Sequence, residues 1–422
     1  MSSSTKPVPW FIVVVWTVII FLTIPFARDI QSFFDRLLGA QIYLVASAIA
    51  GGFFSLIVLI YICRKPKRRM VWRIGWLVVI LAAATLVMKY QLQTPAEALH
   101  FFQYGILSYL FFRAWRNTVK DWIIYPLCTV SVIVVATVDE TIQWMMPGRY
   151  WDYRDIRLNM LAGVIIQAFI ARVIKPSEIK PGYEPHSVRV VAATTLLMLF
   201  MLGMTLSNTP VRVDLYATRV PFLHFLSNNE SVMSEYGYRH VVPEIGTFYS
   251  RFTLDELQQI DAERGSSAGD VIKRYRDFTD YREFLQTFTS SVDPFLHEMR
   301  VHLHRRNHYY AAAWQYRDAD PARFAFHMTV ALRENLILEK YFPRTLAAAD
   351  SVLSPAELEH MTNFANLDHN YISPVSDHLV TGASEGELWF SILIMSALML
   401  SICFRYGREN TAQTRINTIY SP

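Results

Sequence analysis

Long apolar runs decide the fold class of this chain before any other feature does. "WIIYPLCTVSVIVVAT" and "MLAGVIIQAFIARVI" lie on either side of residues 138–159, and each approaches the ~20 residues needed to cross a hydrocarbon core. Read by run length, the chain has about eight spans, near 10–26, 41–63, 72–90, 97–113, 121–146, 157–174, 188–206 and 387–404. Composition agrees, since 18% of its 422 residues are charged, against about a quarter in soluble domains. The expected class is all-α, a polytopic helical membrane protein. A scattered net charge of +4 gives no reason to expect nucleic acid.

Basic residues set the expected orientation. "RKPKRRMVWR" follows the second run, and Arg64, Lys65, Lys67, Arg68, Arg69 and Arg73 belong in the cytoplasm by the positive-inside rule. Counting onward, Arg113, Arg116 and Lys120, then Arg172, Lys175, Lys180 and Arg189, fall on the same side. Both termini are then cytoplasmic, in a bacterial inner (cytoplasmic) membrane. Lys6 followed by "WFIVVVWTVIIFLTIPF" resembles a signal peptide, but without a small-x-small site after it the run is expected to stay as an anchor.

Residues 208–386 differ in composition and are expected to form an extracytoplasmic, all-helical domain. It is inserted between a bundle at 1–207 and a final span and tail at 387–422. The signals are helix starts: capping boxes at Thr253–Glu256 and Ser354–Glu357, and Asp-Pro pairs at Asp293–Pro294 and Asp320–Pro321. The entry, near 208–250, reads as irregular. Cys63, Cys128 and Cys403 all lie in apolar runs, which leaves no disulfide framework for the outer segment.

The stretch "VDETIQWMMPGRYWDYRDIRLN" places an unusual number of ionisable groups at a membrane boundary. Gln143 lies three positions from Glu140 and four from Asp139, so the three share one side of a helix. Asp155, Asn159 and Gly163 form a stripe on the next span, and Glu97, His100 and Tyr104 form another on an earlier one. On the topology above, all three stripes begin at the outer surface and are expected to converge. One ion pair is enough to lock helices together, whereas intramembrane carboxylates are costly and point to function.

"DETIQWMMPGRYWDYRDIRLNMLAG" resembles the signature of the VanZ-like family: an acidic residue, glutamine, a Pro-Gly-Arg turn, aspartate and asparagine. "EALHFFQYGIL" is similar to that family's preceding span, with its histidine followed by tyrosine. The likeness covers about 72–175. Ala96-Glu97 stands where many members carry Asp-Lys, which removes a lysine-dependent role. By position the family residues are His100, Tyr104, Glu140, Gln143, Pro147, Gly148, Arg149, Asp155 and Asn159. The resemblance implies a cell-envelope protein, in a family whose founding member is linked to glycopeptide resistance.

The candidate ligand-binding set is therefore Glu97, His100, Tyr104, Asp139, Glu140, Gln143, Arg149, Asp155 and Asn159, with Pro147 and Gly148 as the structural turn. Arg149 on that turn suits a phosphate or carboxylate, gripped through two donors. Three functions stay open. The first is binding of a lipid headgroup or lipid-linked saccharide. The second is an enzyme using Glu140 and His100 as an acid–base pair on such a lipid. The third is a scaffold that recruits a protein partner through the outer domain. In "HEMRVHLHRRNHYY", His297, His304 and His308 share a stripe. His304 and His308 have metal-ligand spacing that His327 and Glu334 would complete. The plainer reading is a half-buried, hydrogen-bonded histidine stripe, and no cofactor is expected.

Overall fold

The structure is a computed structural model and describes residues 8–26, 36–37, 42–64, 67–92, 97–146, 151–228, 233–275, 280–290, 292–367, 370–376 and 380–419. The chain divides into two compact units, residues 1–233 with 391–422 and residues 234–390.

The first unit is helical. Helix α1 (Val8–Thr23), α2 (Ile42–Cys63), α3 (Lys67–Gln91), α4 (Glu97–Trp115), α5 (Ile124–Trp144), α6 (Tyr153–Phe169) and α7 (Pro185–Ser207) occupy the first seven predicted runs. The last run falls in a helix at Glu385–Ile419. Among the described residues, five helical stretches are long and apolar enough to cross a membrane: Arg69–Gln91, Ile124–Trp144, Tyr153–Ile174, Pro185–Ser207 and Glu385–Tyr406. In Arg69–Gln91, Pro185–Ser207 and Glu385–Tyr406 large apolar side chains face outward, among them Val78, Val79, Leu197, Phe200, Leu393 and Leu398. That is the reverse of a water-soluble domain and suits a lipid surround.

The local chemistry explains where helices begin. Asp152 caps α6, its Oδ1 accepting from the Arg154 backbone N–H at 2.7 Å. Asp121 ties two loops together, accepting from the backbone N–H of Ile123 at 3.0 Å and of Glu184 at 2.7 Å. Small residues let α4, α5 and α6 approach closely. Ser108 donates to the Gly163 carbonyl at 3.2 Å, and a Cβ on Gly163 would sit 3.5 Å from Val132. Gln167 closes the same interface by donating to Ser108 Oγ at 2.8 Å. Interhelical hydrogen bonds of this kind contribute about 1 kcal/mol in membranes.

Helix α8 (Pro210–Arg219) and a 3₁₀ turn at Pro221–Asn228 follow α7. Val213, Ala217 and Leu226 pack with Trp144 and Trp151. These residues, expected to open the outer segment, thus belong by packing to the first unit.

The second unit is mostly helical but not wholly so, which corrects the all-α expectation. Strands β1 (Tyr238–Val242) and β2 (Gly246–Ser250) form an antiparallel hairpin in the register Tyr238↔Ser250 to Val242↔Gly246. Neither strand, YRHVV nor GTFYS, alternates apolar with polar residues, so no period-2 signal announces them. The turn depends on Gly246 at φ +107°, where a Cβ would run into the Tyr371 carbonyl. Around the hairpin lie α9 (Leu254–Arg274), α10 (Tyr281–Thr287), α11 (Pro294–Ala313), α12 (Pro321–Tyr341), α13 (Pro343–Ala348) and α14 (Pro355–Phe364).

All four predicted helix starts are present. Thr253 and Ser354 form reciprocal capping boxes with Glu256 and Glu357, and Asp293 and Asp320 cap helices that begin with proline. Phe248, Phe284, Phe295, Met299, Ile337 and Leu338 make the core, each buried to 1% exposure or less. Removing each such side chain from water stabilises the fold by about 1.5–3 kcal/mol.

Candidate functional site

Three helices of the first unit bring the predicted polar residues to one end of the bundle. Tyr104, from α4, donates its hydroxyl to Asp139 Oδ2 on α5 at 2.8 Å. Gln143 Nε2 donates to Glu140 Oε1 at 2.9 Å and lies 3.5 Å from Asp139 Oδ2. The main partner of Gln143 is therefore Glu140, one helical turn away. Glu140 Oε2 also accepts from the Asp152 backbone N–H at 3.4 Å, which joins α5 to the start of α6. Tyr104, Asp139, Glu140, Gln143 and Asn159 are all buried.

Asp155 belongs to the same group, because its charge acts on both Tyr104 and Glu140. Register brings Asn159 to this level. Gly163 on α6 meets Val132 and Ser108, so one turn back, about 5.4 Å along each axis, sets Asn159, Ala136 and Tyr104 side by side. Asn159 is 1% exposed, and neither its Nδ2 nor its Oδ1 has a hydrogen-bond partner among the described residues. His100 is half-buried on α4, three positions and so less than one turn after Glu97.

Arg154, which is not in the candidate set, does not reach out toward water as an interfacial arginine would. It instead grips Glu97, Nη2 to Oε1 at 3.2 Å and Nη1 to Oε2 at 3.4 Å. It also donates to Asp152 Oδ2 at 3.1 Å and lies 3.6 Å from Asp155 Oδ1. The forked geometry suits a guanidinium and not an ammonium. The local clue was the Asp152-x-Arg154 spacing at a helix start, but Glu97 lies 57 residues away and no local pattern announces it. The predicted turn residues Pro147, Gly148 and Arg149 lie outside the described residues.

The histidine stripe of α11 takes the plainer form. His297 Nδ1 is 3.0 Å from the Phe288 carbonyl, and the His304 ring stacks on Tyr281 at 3.7 Å. Glu334, named as a potential metal ligand, is already committed. It accepts from His302 Nδ1 at 2.5 Å, Tyr371 Oη at 2.5 Å, Ser373 Oγ at 2.8 Å and Arg305 Nε at 2.9 Å. Burial alone would raise this carboxyl, yet His302, Tyr371 and Arg305 together hold it below its ordinary value. Among the described residues no group of three or more His, Cys, Asp or Glu side chains is arranged to hold a metal ion.

Searches among curated proteins and among solved structures returned no match. The VanZ/LLP1 family model matches residues 9–175. This reaches past the stretch recognised from its motifs to take in α1 and α2, and it contains every residue of the polar cluster. Residues 9–175 are thus similar to the VanZ/LLP1 family, within a chain that carries helices long and apolar enough to cross a membrane.

Proposed function

We propose that the polar cluster of the VanZ-like core binds the headgroup of an envelope lipid or of a lipid-linked saccharide. The observation that carries this reading is the Asn159 side chain, buried at 1% exposure with neither polar atom hydrogen-bonded among the described residues. A buried amide left in this way costs about 1–3 kcal/mol, and a hydroxyl-bearing ligand satisfies its donor and its acceptor together. Its surroundings favour hydroxyl donors. Asp139 and Glu140 present carboxylate oxygens, Gln143 and Tyr104 orient them, and Arg154 is occupied by Glu97 and Asp152. Sugars and glycerol headgroups supply such hydroxyls, and a phosphate linking them to lipid suits an arginine, for which Arg149, just after Pro147 and Gly148 in the sequence, is the candidate. By the positive-inside rule the cluster faces the outer leaflet, both termini are cytoplasmic, and residues 234–390 are extracytoplasmic.

The test is mass spectrometry of lipids retained by the purified full chain, wild type against Glu140→Gln, Asn159→Leu and Arg149→Ala. A lipid species carried by the wild type is expected to fall at least tenfold in each variant. Identical retained lipids across the four proteins would end this reading. A changed cellular lipid pool that depends on Glu140 would instead indicate chemistry on the bound lipid.

A further inference from the structure

Helix α8 has two apolar faces where an amphipathic helix at the surface of a soluble domain has one. Val213 and Ala217, four residues apart, are buried against Trp144 and Trp151. Val211 and Leu215 are also four apart, but two residues out of phase. At about 100° per residue that turns them to the opposite side, away from the bundle. There Val211 is 79% exposed, and the outward face continues into the 3₁₀ turn with Phe222 at 75% and with Phe225. Arg212 and Arg219, seven positions apart, share one flank of this face, and Asp214 lies on the other.

The helix is held in this orientation. Thr209 is extended before Pro210, so α8 leaves the line of α7 after two residues. The Asn208 Oδ1 at that junction accepts from the Tyr216 hydroxyl at 3.2 Å, which ties α8 back to the end of α7. Ala217 is fully buried. The outward face is therefore a fixed surface, and apolar surface presented in this way marks a contact.

Its level identifies what it contacts. Three stretches long enough to cross a membrane terminate here: Ile124–Trp144 ends at Trp144, Tyr153–Ile174 begins two residues after Trp151, and Pro185–Ser207 ends three residues before α8. By packing on Trp144 and Trp151, α8 lies where these stretches meet the edge of the hydrocarbon. The outward side chains of α7, Phe200 and Met204, lead up to the same edge. We infer that α8 and the 3₁₀ turn rest on a lipid surface, with Val211, Leu215, Phe222 and Phe225 among the upper acyl chains and Arg212 and Arg219 at the level of the lipid phosphates. An apolar face bounded by arginines is the pattern of a helix lying in the membrane interface. A protein partner would have to displace the acyl chains that border Phe200 and Met204. This surface is separate from the polar cluster and does not depend on its ligand.

Fluorescence quenching of the full chain tests the inference. Leu215→Cys and Phe222→Cys each carry a bimane label in a Cys63→Ala, Cys128→Ala, Cys403→Ala background. The proteins are reconstituted into vesicles of phosphatidylcholine and phosphatidylglycerol in equal parts. Lipid brominated close to the headgroup is expected to quench both labels at least twofold. Aqueous iodide should quench them at least twofold less than it quenches the same label at Asp214→Cys, on the polar flank. Unchanged unfolding temperatures verify the folds, and Val211→Cys repeats the reading at a third exposed position should one variant fold poorly. Quenching by iodide as strong as at Asp214→Cys would place the face in water. Quenching by neither iodide nor brominated lipid would place a protein on it, the second unit or another copy of the chain. Either result overturns the inference.

Discussion

Tyr104 donates to Asp139 Oδ2 across 2.8 Å, and with exposures of 0% and 1% the two side chains join α4 to α5 away from solvent. The bond makes a carboxylate tolerable inside a helical bundle, because a buried acceptor stripped of its donor bears its desolvation cost alone. Tyr104→Phe is expected to destabilise the first unit by about 1–3 kcal/mol. Asp139→Asn in the Tyr104→Phe background should cost less than it does alone. A double-mutant cycle on thermal unfolding of the detergent-solubilised protein measures the coupling, and strictly additive effects would show that the bond contributes nothing.

What could be read from the sequence follows the range of each interaction. Apolar run length and cap chemistry are local, so the helices and the starts at Thr253, Asp293, Asp320 and Ser354 were legible. The stripes of Glu97 and Tyr104, of Asp139 and Gln143, and of Asp155 and Asn159 were legible for the same reason, as positions on helix faces. Partners set by tertiary packing were not. Arg154 meets Glu97 only because α4 lies beside α6, and Glu334 gathers donors from two other segments, His302 and Arg305 on α11 and Tyr371 and Ser373 in residues 370–376. The hairpin at 238–250 escaped because its register depends on one glycine turn and on Tyr371, more than a hundred residues on.

Glu334 predicts an acid-sensitive second unit. Its folded value is depressed, so its contribution to stability is fully present above the ordinary carboxylate value of about 4.3. That contribution is lost as pH falls from there through the folded value. Glu334→Ala leaves His302 and Arg305 without their acceptor and should cost about 3–5 kcal/mol at neutral pH, nearer the lower figure because Arg305 partly reaches solvent. Glu334→Gln should lose less stability between pH 5 and pH 3 than wild type does. Hydrogen exchange of residues 294–341 against pH checks both, and parallel acid profiles for wild type and Glu334→Gln would refute the assignment.

Helices α9 and α13 predict a steric effect opposite in sign to helix propensity. A Cβ on Gly269 would overlap the Ala348 Cβ and lie 2.8 Å from the Thr345 carbonyl. Glycine to alanine normally stabilises a helix interior by about 0.5–1 kcal/mol. Gly269→Ala should instead destabilise by about 1–3 kcal/mol, because the two backbones must separate. Ser266→Ala, exposed on the same helix, is the control and should change the unfolding temperature little. A stabilised Gly269→Ala protein would mean the helices do not pack this closely.

Asn159 separates stability from function most cleanly. An amide retained only for the fold should be hydrogen-bonded, and its replacement by an apolar side chain should destabilise. This one is buried with neither polar atom hydrogen-bonded among the described residues, so Asn159→Leu removes a desolvation cost of about 1–3 kcal/mol. The variant purified without added lipid should unfold at a temperature equal to or above that of wild type, while retaining at least tenfold less of the lipid the wild type carries. Functional sites commonly trade stability for binding in this direction. A variant that unfolds earlier yet keeps its lipid would assign Asn159 to helix packing, and the polar cluster would then lose the residue on which its ligand-binding role most depends.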